Sequence, residues 1–168
     1  MLKDFKQFVP SSVCLKCDGC CRFKESDSRW RPYIGEKEKS VIEKIFGTNV
    51  VSSDVRIAAT PCSEGFLCHF LNPTDNTCGI YNARPFECQL YPFLLGKEGE
   101  QAVLYVHLNC PYIQEQWGAQ MYKEYAQYLQ DFFRKKETRE FLKQNPKLLT
   151  DYSSFRSELD HVCDIALE

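Results

Sequence analysis

"VCLKCDGCCRF", residues 13–23, sets Cys14, Cys17, Cys20 and Cys21 within eight positions, the last two adjacent. Such a run can be a disulfide knot, a redox pair or one arm of a metal site. Thiols spaced two residues apart let a loop curl around one centre with each sulfur turned inward, and thiolate binds soft and borderline metals strongly. Four thiolates close a tetrahedral zinc site or a common iron–sulfur cluster, so more distant cysteines are needed to finish the set. The expected fold follows from this. The first thirty residues form a polar loop with little core of its own, wrapped around whatever its thiols bind, and the regular elements come later.

With 168 residues, 43% hydrophobic and 14% aromatic, the chain has material for one substantial core, and a single domain over residues 1–168 is expected. The 21 basic and 23 acidic residues leave a net charge of −2. No positive field gathers phosphates, which argues against nucleic acid as a partner. No eighteen apolar residues occur together, and "MLKDFKQFVPSSV" holds no apolar run before a small-residue cleavage site. The expectation is a soluble, cytoplasmic protein with no membrane partner. Thiols in that compartment stay reduced. Ten cysteines fall below the density of a short disulfide scaffold, so metal binding or redox chemistry leads. A few buried, purely structural cysteines would not explain the clustering.

The remaining pattern predicts an α+β fold. In "PYIGEKEKSVIEKIFGTN", Ile34, Val41, Ile42, Ile45 and Phe46 recur at helical spacing before Gly47, predicting a helix over about 35–46. "NVVSSDVRIAAT" reads as extended at both ends. Two strand-like pieces, near Phe66–Leu71 and Cys78–Tyr81, flank the turn "NPTDN" and predict a hairpin presenting Cys68 and Cys78. Pro85 and Pro92 bracket a short helical turn carrying Cys88. A strand over 102–108 delivers Cys110. Ile113, Trp117, Met121, Tyr125, Leu129 and Phe133 then fall at four-residue steps, predicting one long helix whose stripe is core packing. A last helix is expected over about 153–167. Residues 112–168 thus form a helical extension behind a cysteine-rich region over 14–111.

Cys21 decides how many centres to expect. Neighbouring side chains of an extended chain point to opposite faces, so one ion does not easily take both Cys20 and Cys21. Two centres, or one polynuclear cluster approached from two sides, would use both. A vicinal disulfide is the redox alternative, but it needs a strained ring and ignores Cys14 and Cys17. Structural zinc modules pair two tight C-x2-C knuckles, whereas Cys68, Cys78, Cys88 and Cys110 are widely spread. The C-x2-C-x2-C triple and the Cys110–Pro111 step share features with ferredoxin-type ligation. Iron–sulfur, as a 4Fe–4S cluster, is therefore favoured, with zinc as the alternative.

"CLKCDGCC", "CHFL", "CGIYNARPFECQLYPF" and "NCP" together resemble the zinc- or iron-chelating cysteine-cluster family, called CxxCxxCC or YkgJ-like, over about residues 14–111. The resemblance implies eight metal ligands: Cys14, Cys17, Cys20, Cys21, Cys68, Cys78, Cys88 and Cys110. Cys62 and Cys163 lie outside that pattern. Cys62 is a candidate substitute ligand, and Cys163 reads as structural. A similar cysteine domain occurs in flagellin lysine methylases, which implies iron–sulfur-dependent modification chemistry. Nothing in this chain reproduces the rest of a methylase. The implied role is support of electron transfer, or of a partner enzyme's protein modification, with a protein partner. The alternative is a zinc-stabilised interaction module without redox activity.

Arg84, just before Pro85, is a candidate hydrogen-bond donor to cluster sulfur, and equally a tie for local carbonyls or Glu87. His69 alternates away from Cys68 on its strand and reads as a non-ligand, while His107 is a candidate spare ligand or proton carrier. With no P-loop, G-x-G-x-x-G or H-E-x-x-H, ordinary hydrolases and nucleotide enzymes find no foothold. "FRKKETRE", residues 133–140, reads as solvated surface.

Overall fold

The computed structural model describes residues 5–17 and 19–168. They form two compact units, one of Val9–Gln89 and one of Leu90–Glu168 joined by residues 5–8. Small antiparallel sheets and short helices make up both, so the fold is α+β, with helices gathered in the second unit.

The first unit opens with the four-residue helix α1, Ser11–Cys14, and a 3-10 turn at Gly19–Cys21 that leads into strand β1, Arg22–Phe23. Helix α2, Glu36–Phe46, starts after extended Gly35 and stops at Gly47, whose φ of 87° favours glycine. Strand β2, Ala59–Cys62, returns through a tight turn into β3, Gly65–Cys68. β3 is the central strand, pairing β1 on one side and β2 on the other. Gly65 is required at that turn, because its φ is +126° and a Cβ would sit 2.6 Å from the Phe23 carbonyl oxygen. Strands β4, Leu71–Asn72, and β5, Thr77–Cys78, form a separate small hairpin in which Leu71 faces Cys78. The expected single hairpin is therefore two structures. Cys68 ends the central strand of one sheet, and Cys78 lies in the other. Helix α3, Phe86–Leu90, carries Cys88 as expected. The core gathers Phe23, Ile34, Ile42, Val50, Ile57, Leu67, Phe70, Leu71 and Ile80, and it includes Cys68.

The second unit is built on strands β6, Phe93–Glu98, β7, Gln101–His107, and β8, Leu159–Ile165, in that antiparallel order. β8 overturns the last expected helix. Only Ser153–Glu158 is helical, as 3-10 turns. From Leu159 onward the chain pairs with the apolar β7 through a bulge at Leu104/Tyr105, and this pairing outweighs local helical preference. The long aromatic helix is likewise three pieces: α4, Pro111–Gln116, α5, Gln120–Arg134, and α6, Lys136–Gln144. The break falls at Gly118, φ +75°, which leaves Trp117 and Met121 exposed while Ile113, Leu129 and Phe133 are buried. No described helix is long and apolar enough to cross a membrane.

Candidate metal centre

All ten cysteines are free thiols, so no vicinal disulfide joins Cys20 to Cys21. Seven of them form one interacting network in the first unit. The Cys21 thiol is hydrogen-bonded to Cys20 and to Cys68. Cys14 feels Cys17 and Cys78, Cys78 feels Cys68, and Cys88 feels Cys68, Cys21 and Cys78. The short helix and 3-10 turn present the first four thiols, the central strand presents Cys68, the small hairpin Cys78, and α3 Cys88. Sequence spacing thus brought together thiols whose carriers were only partly foreseen.

Five of these thiols, Cys14, Cys21, Cys68, Cys78 and Cys88, hold their protons tightly. The hydrogen bond that the Cys21 thiol gives to Cys20, together with burial, pushes it far up, and the Cys68 contact opposes it. The bond to Cys21 and then burial push Cys68 up in turn. Burial is the main cause for Cys14, Cys78 and Cys88. These thiols are therefore neutral near pH 7, and a metal that binds them must displace protons.

Arg84 acts as a cation on three of these thiols, drawing Cys14, Cys78 and Cys88 downward against burial. Only 8% exposed, it donates from Nη1 to Cys14 Sγ at 3.4 Å and from Nε to the Tyr81 carbonyl at 2.9 Å. Its guanidinium lies 3.6 Å from the Tyr81 ring centroid. The sulfur and carbonyl roles foreseen for Arg84 are held at once, by different nitrogens of one fork. Tyr81 also hydrogen-bonds the Cys14 thiol.

Two acids have roles the sequence reading did not give them: Glu38 was not singled out, and Glu87, named there as a partner for Arg84, is held by Tyr33 and Arg56. Glu38 accepts from the Gly35 N–H at 2.9 Å and the Phe86 N–H at 2.7 Å, joining the start of α2 to that of α3. Burial raises its carboxyl. Glu87 accepts from the Tyr33 N–H at 2.5 Å and stands 3.9 Å from Arg56. Burial pushes it up to about 7. Together they fix the backbone on which Cys88 rides. Glu38 sits at the third helical position, where a side chain commonly reaches back to the preceding N–H, and that was the available signal.

The other candidates each have their own surroundings. Half-buried Cys62 pairs with Gly65 at the β2–β3 turn. Cys163 is on β8 opposite Leu104. His69 is exposed, 3.5 Å from the Thr60 hydroxyl. In the second unit, Cys110 is 5% exposed and precedes α4. His107 Nδ1 is 2.9 Å from the Tyr91 hydroxyl, and its Nε2 is 3.5 Å from Glu158.

Among the described residues, no three His, Cys, Asp or Glu side chains stand ready to hold a metal ion as they are. The donor chemistry nonetheless fits a soft metal. The groups acting on the thiols are other thiols, Arg84, Tyr81 and backbone N–H groups, and neutral thiols that bond one another contract onto a metal only as they lose protons. A thiol network carried on short loops is the donor set of a metal-chelating protein. Residues 13–111, more than half of the chain, match the CxxCxxCC family model, described as "Putative zinc- or iron-chelating domain", and the chain belongs to that family. No curated protein and no solved structure matches it.

Proposed function

We propose that the chain is an iron–sulfur protein serving electron transfer or the modification chemistry of a protein partner in the cytoplasm. Cys14, Cys17, Cys20, Cys21, Cys68, Cys78 and Cys88 would hold the cluster, and the sequence pattern adds Cys110. The observation carrying this reading is the continuity of the seven-thiol network through adjacent Cys20 and Cys21. A single tetrahedral zinc uses four thiolates, so the network supplies more sulfur than one such ion takes. Bound there, a cluster supplies one-electron chemistry. Arg84 offsets thiolate charge and donates to Cys14, which is the hydrogen bonding to sulfur that tunes cluster potential. Phe86, 2% exposed, and Leu67 at 7% keep water from the carriers of Cys88 and Cys68.

The test is anaerobic purification followed by iron, zinc and acid-labile sulfide analysis with a visible spectrum. The proposal expects a brown protein with iron and sulfide in comparable amounts. A colourless protein with stoichiometric zinc and no sulfide overturns it in favour of a zinc-stabilised interaction module.

A further inference from the structure

Strand β1 runs antiparallel to β3 with Arg22 opposite Leu67 and Phe23 opposite Phe66. One step beyond Arg22 and Leu67 stand Cys21, the last residue of the 3-10 turn, and Cys68, the last residue of β3. The register therefore sets these two cysteines across from each other, far apart in sequence though they are. Residues directly opposite on antiparallel strands have Cα atoms about 4.5–5.5 Å apart, inside the roughly 4.4–6.8 Å that a disulfide spans. The side chains meet as this placement requires. The Cys68 thiol donates to the Cys21 sulfur, and Cys21 donates in turn to Cys20. Cys21 is half-buried, and Cys68 is buried.

We propose that Cys21 and Cys68 form a reversible disulfide, closed by a peroxide when no metal holds them and reopened by a thiol reductant, and that closure keeps metal out of the centre. Cys21, the more exposed, reacts first: its sulfur attacks the peroxide, an S–O bond forms as the O–O bond breaks, and Cys21 sulfenic acid and one water result. The Cys68 sulfur then attacks the Cys21 sulfur. The S–S bond forms, the S–O bond breaks, and the hydroxide leaves with the Cys68 proton as a second water. The two thiols lose two electrons, and the peroxide is reduced to water. Adjacent Cys20 is the poorer partner for Cys21, because a vicinal bond needs a strained ring, whereas a bond to Cys68 ties together strands already paired. The bond removes two sulfurs from the middle of the network: both act on Cys88, and Cys68 also on Cys78. A metal is held by thiolate, so neither sulfur ligates until it is reduced. In a reducing compartment such a bond is transient, as reversible control of metal uptake requires. The effect on metal rests on the metal-binding reading above, whereas the pairing of Cys21 with Cys68 does not.

The test treats the reduced, metal-free full chain with hydrogen peroxide, blocks the remaining thiols with iodoacetamide, and maps disulfides by mass spectrometry of unreduced peptides. Cys21–Cys68 is expected to dominate, to open with dithiothreitol, and to be lost in Cys21→Ser and in Cys68→Ser, while Cys62 and Cys163 are alkylated. A dominant Cys20–Cys21 bond, a scatter of pairings across the network, or no disulfide overturns the proposal. Zinc is then titrated into both forms against a chromogenic chelator. The oxidised chain is expected to hold zinc at least tenfold more weakly than the reduced chain, and reduction followed by removal of the reductant is expected to restore the affinity. Equal affinity in the two forms overturns the control of metal uptake alone. A reduced chain that takes up no zinc overturns the metal centre, and that control with it.

Discussion

Replacing Arg84 by Gln removes three contacts at one stroke. The Nε bond to the Tyr81 carbonyl at 2.9 Å has a charged donor, worth about 1.5–3 kcal/mol. The guanidinium stack on Tyr81 at 3.6 Å adds about 0.5–2 kcal/mol, and the 3.4 Å bond to Cys14 sulfur is also lost. Glutamine recovers at most one neutral hydrogen bond, so the metal-free first unit should lose about 3 kcal/mol. Arg84→Lys keeps the charge without the planar fork and should lose about half of that. Urea unfolding of the reduced, metal-free protein, followed by circular dichroism, reads this as a lower midpoint at unchanged slope. A second readout separates electrostatics from packing. Burial raises the Cys14 thiol and Arg84 opposes that rise, so losing the cation raises it further. Since the thiolate is the nucleophile, iodoacetamide should label Cys14 more slowly in Arg84→Gln than in the native chain, with Arg84→Lys between. A purely structural arginine would instead leave Cys14 more accessible and faster to label. Arg84→Gln within about 0.5 kcal/mol of the native chain, with Cys14 labelled as fast or faster, would refute the reasoning.

Gly65→Ala should destabilise by about 2–4 kcal/mol, read as a lower thermal midpoint, because φ is +126° and the new Cβ meets backbone oxygen. Gly118→Ala, with φ +75° but open space around it, should lose only about 1 kcal/mol. Asp54 concerns pH. Burial alone would raise its carboxyl, but the Ser52 hydroxyl, Arg31 and Arg56 together hold it below the ordinary value. A depressed carboxyl stabilises fully above the unfolded value of about 3.9, and that contribution is lost as pH falls through the folded value. Asp54→Asn should therefore remove about 1–2 kcal/mol near neutrality, leaving Arg31, 4% exposed at its side chain, without its 2.5 Å partner. The deficit of the variant should shrink toward zero in acid, as urea titrations at several pH values will measure.

Much of this fold was legible where local chemistry decides. Gly35 and Gly47 bound α2, the two prolines bracket Cys88, and apolar β7 follows a turn at Gly99. The misses have two causes, one distant in sequence and one local. Leu159–Ile165 becomes a strand because β7 offers an open partner edge, which no local pattern reports. The four-residue aromatic stripe runs unbroken in sequence, yet Gly118 turns the chain between Trp117 and Met121. At the site, spacing pointed to the thiols and to Arg84, whereas Glu38 and Glu87 look like surface acids of a charged helix and a short turn. Their buried roles depend on the N–H groups of Phe86 and Tyr33, which lie 48 and 54 residues away.

Metal content of single serine variants tests the central claim most directly. With native protein, Cys20→Ser, Cys21→Ser, Cys68→Ser, Cys88→Ser and Cys163→Ser purified side by side under anaerobic conditions, the four network variants should each lose metal. Cys163→Ser, whose thiol feels Asp164 and Arg134, should retain it in full. Full metal in Cys21→Ser would reduce the network to a single site that leaves this thiol unused, and full metal in all four network variants would contradict the metal centre itself.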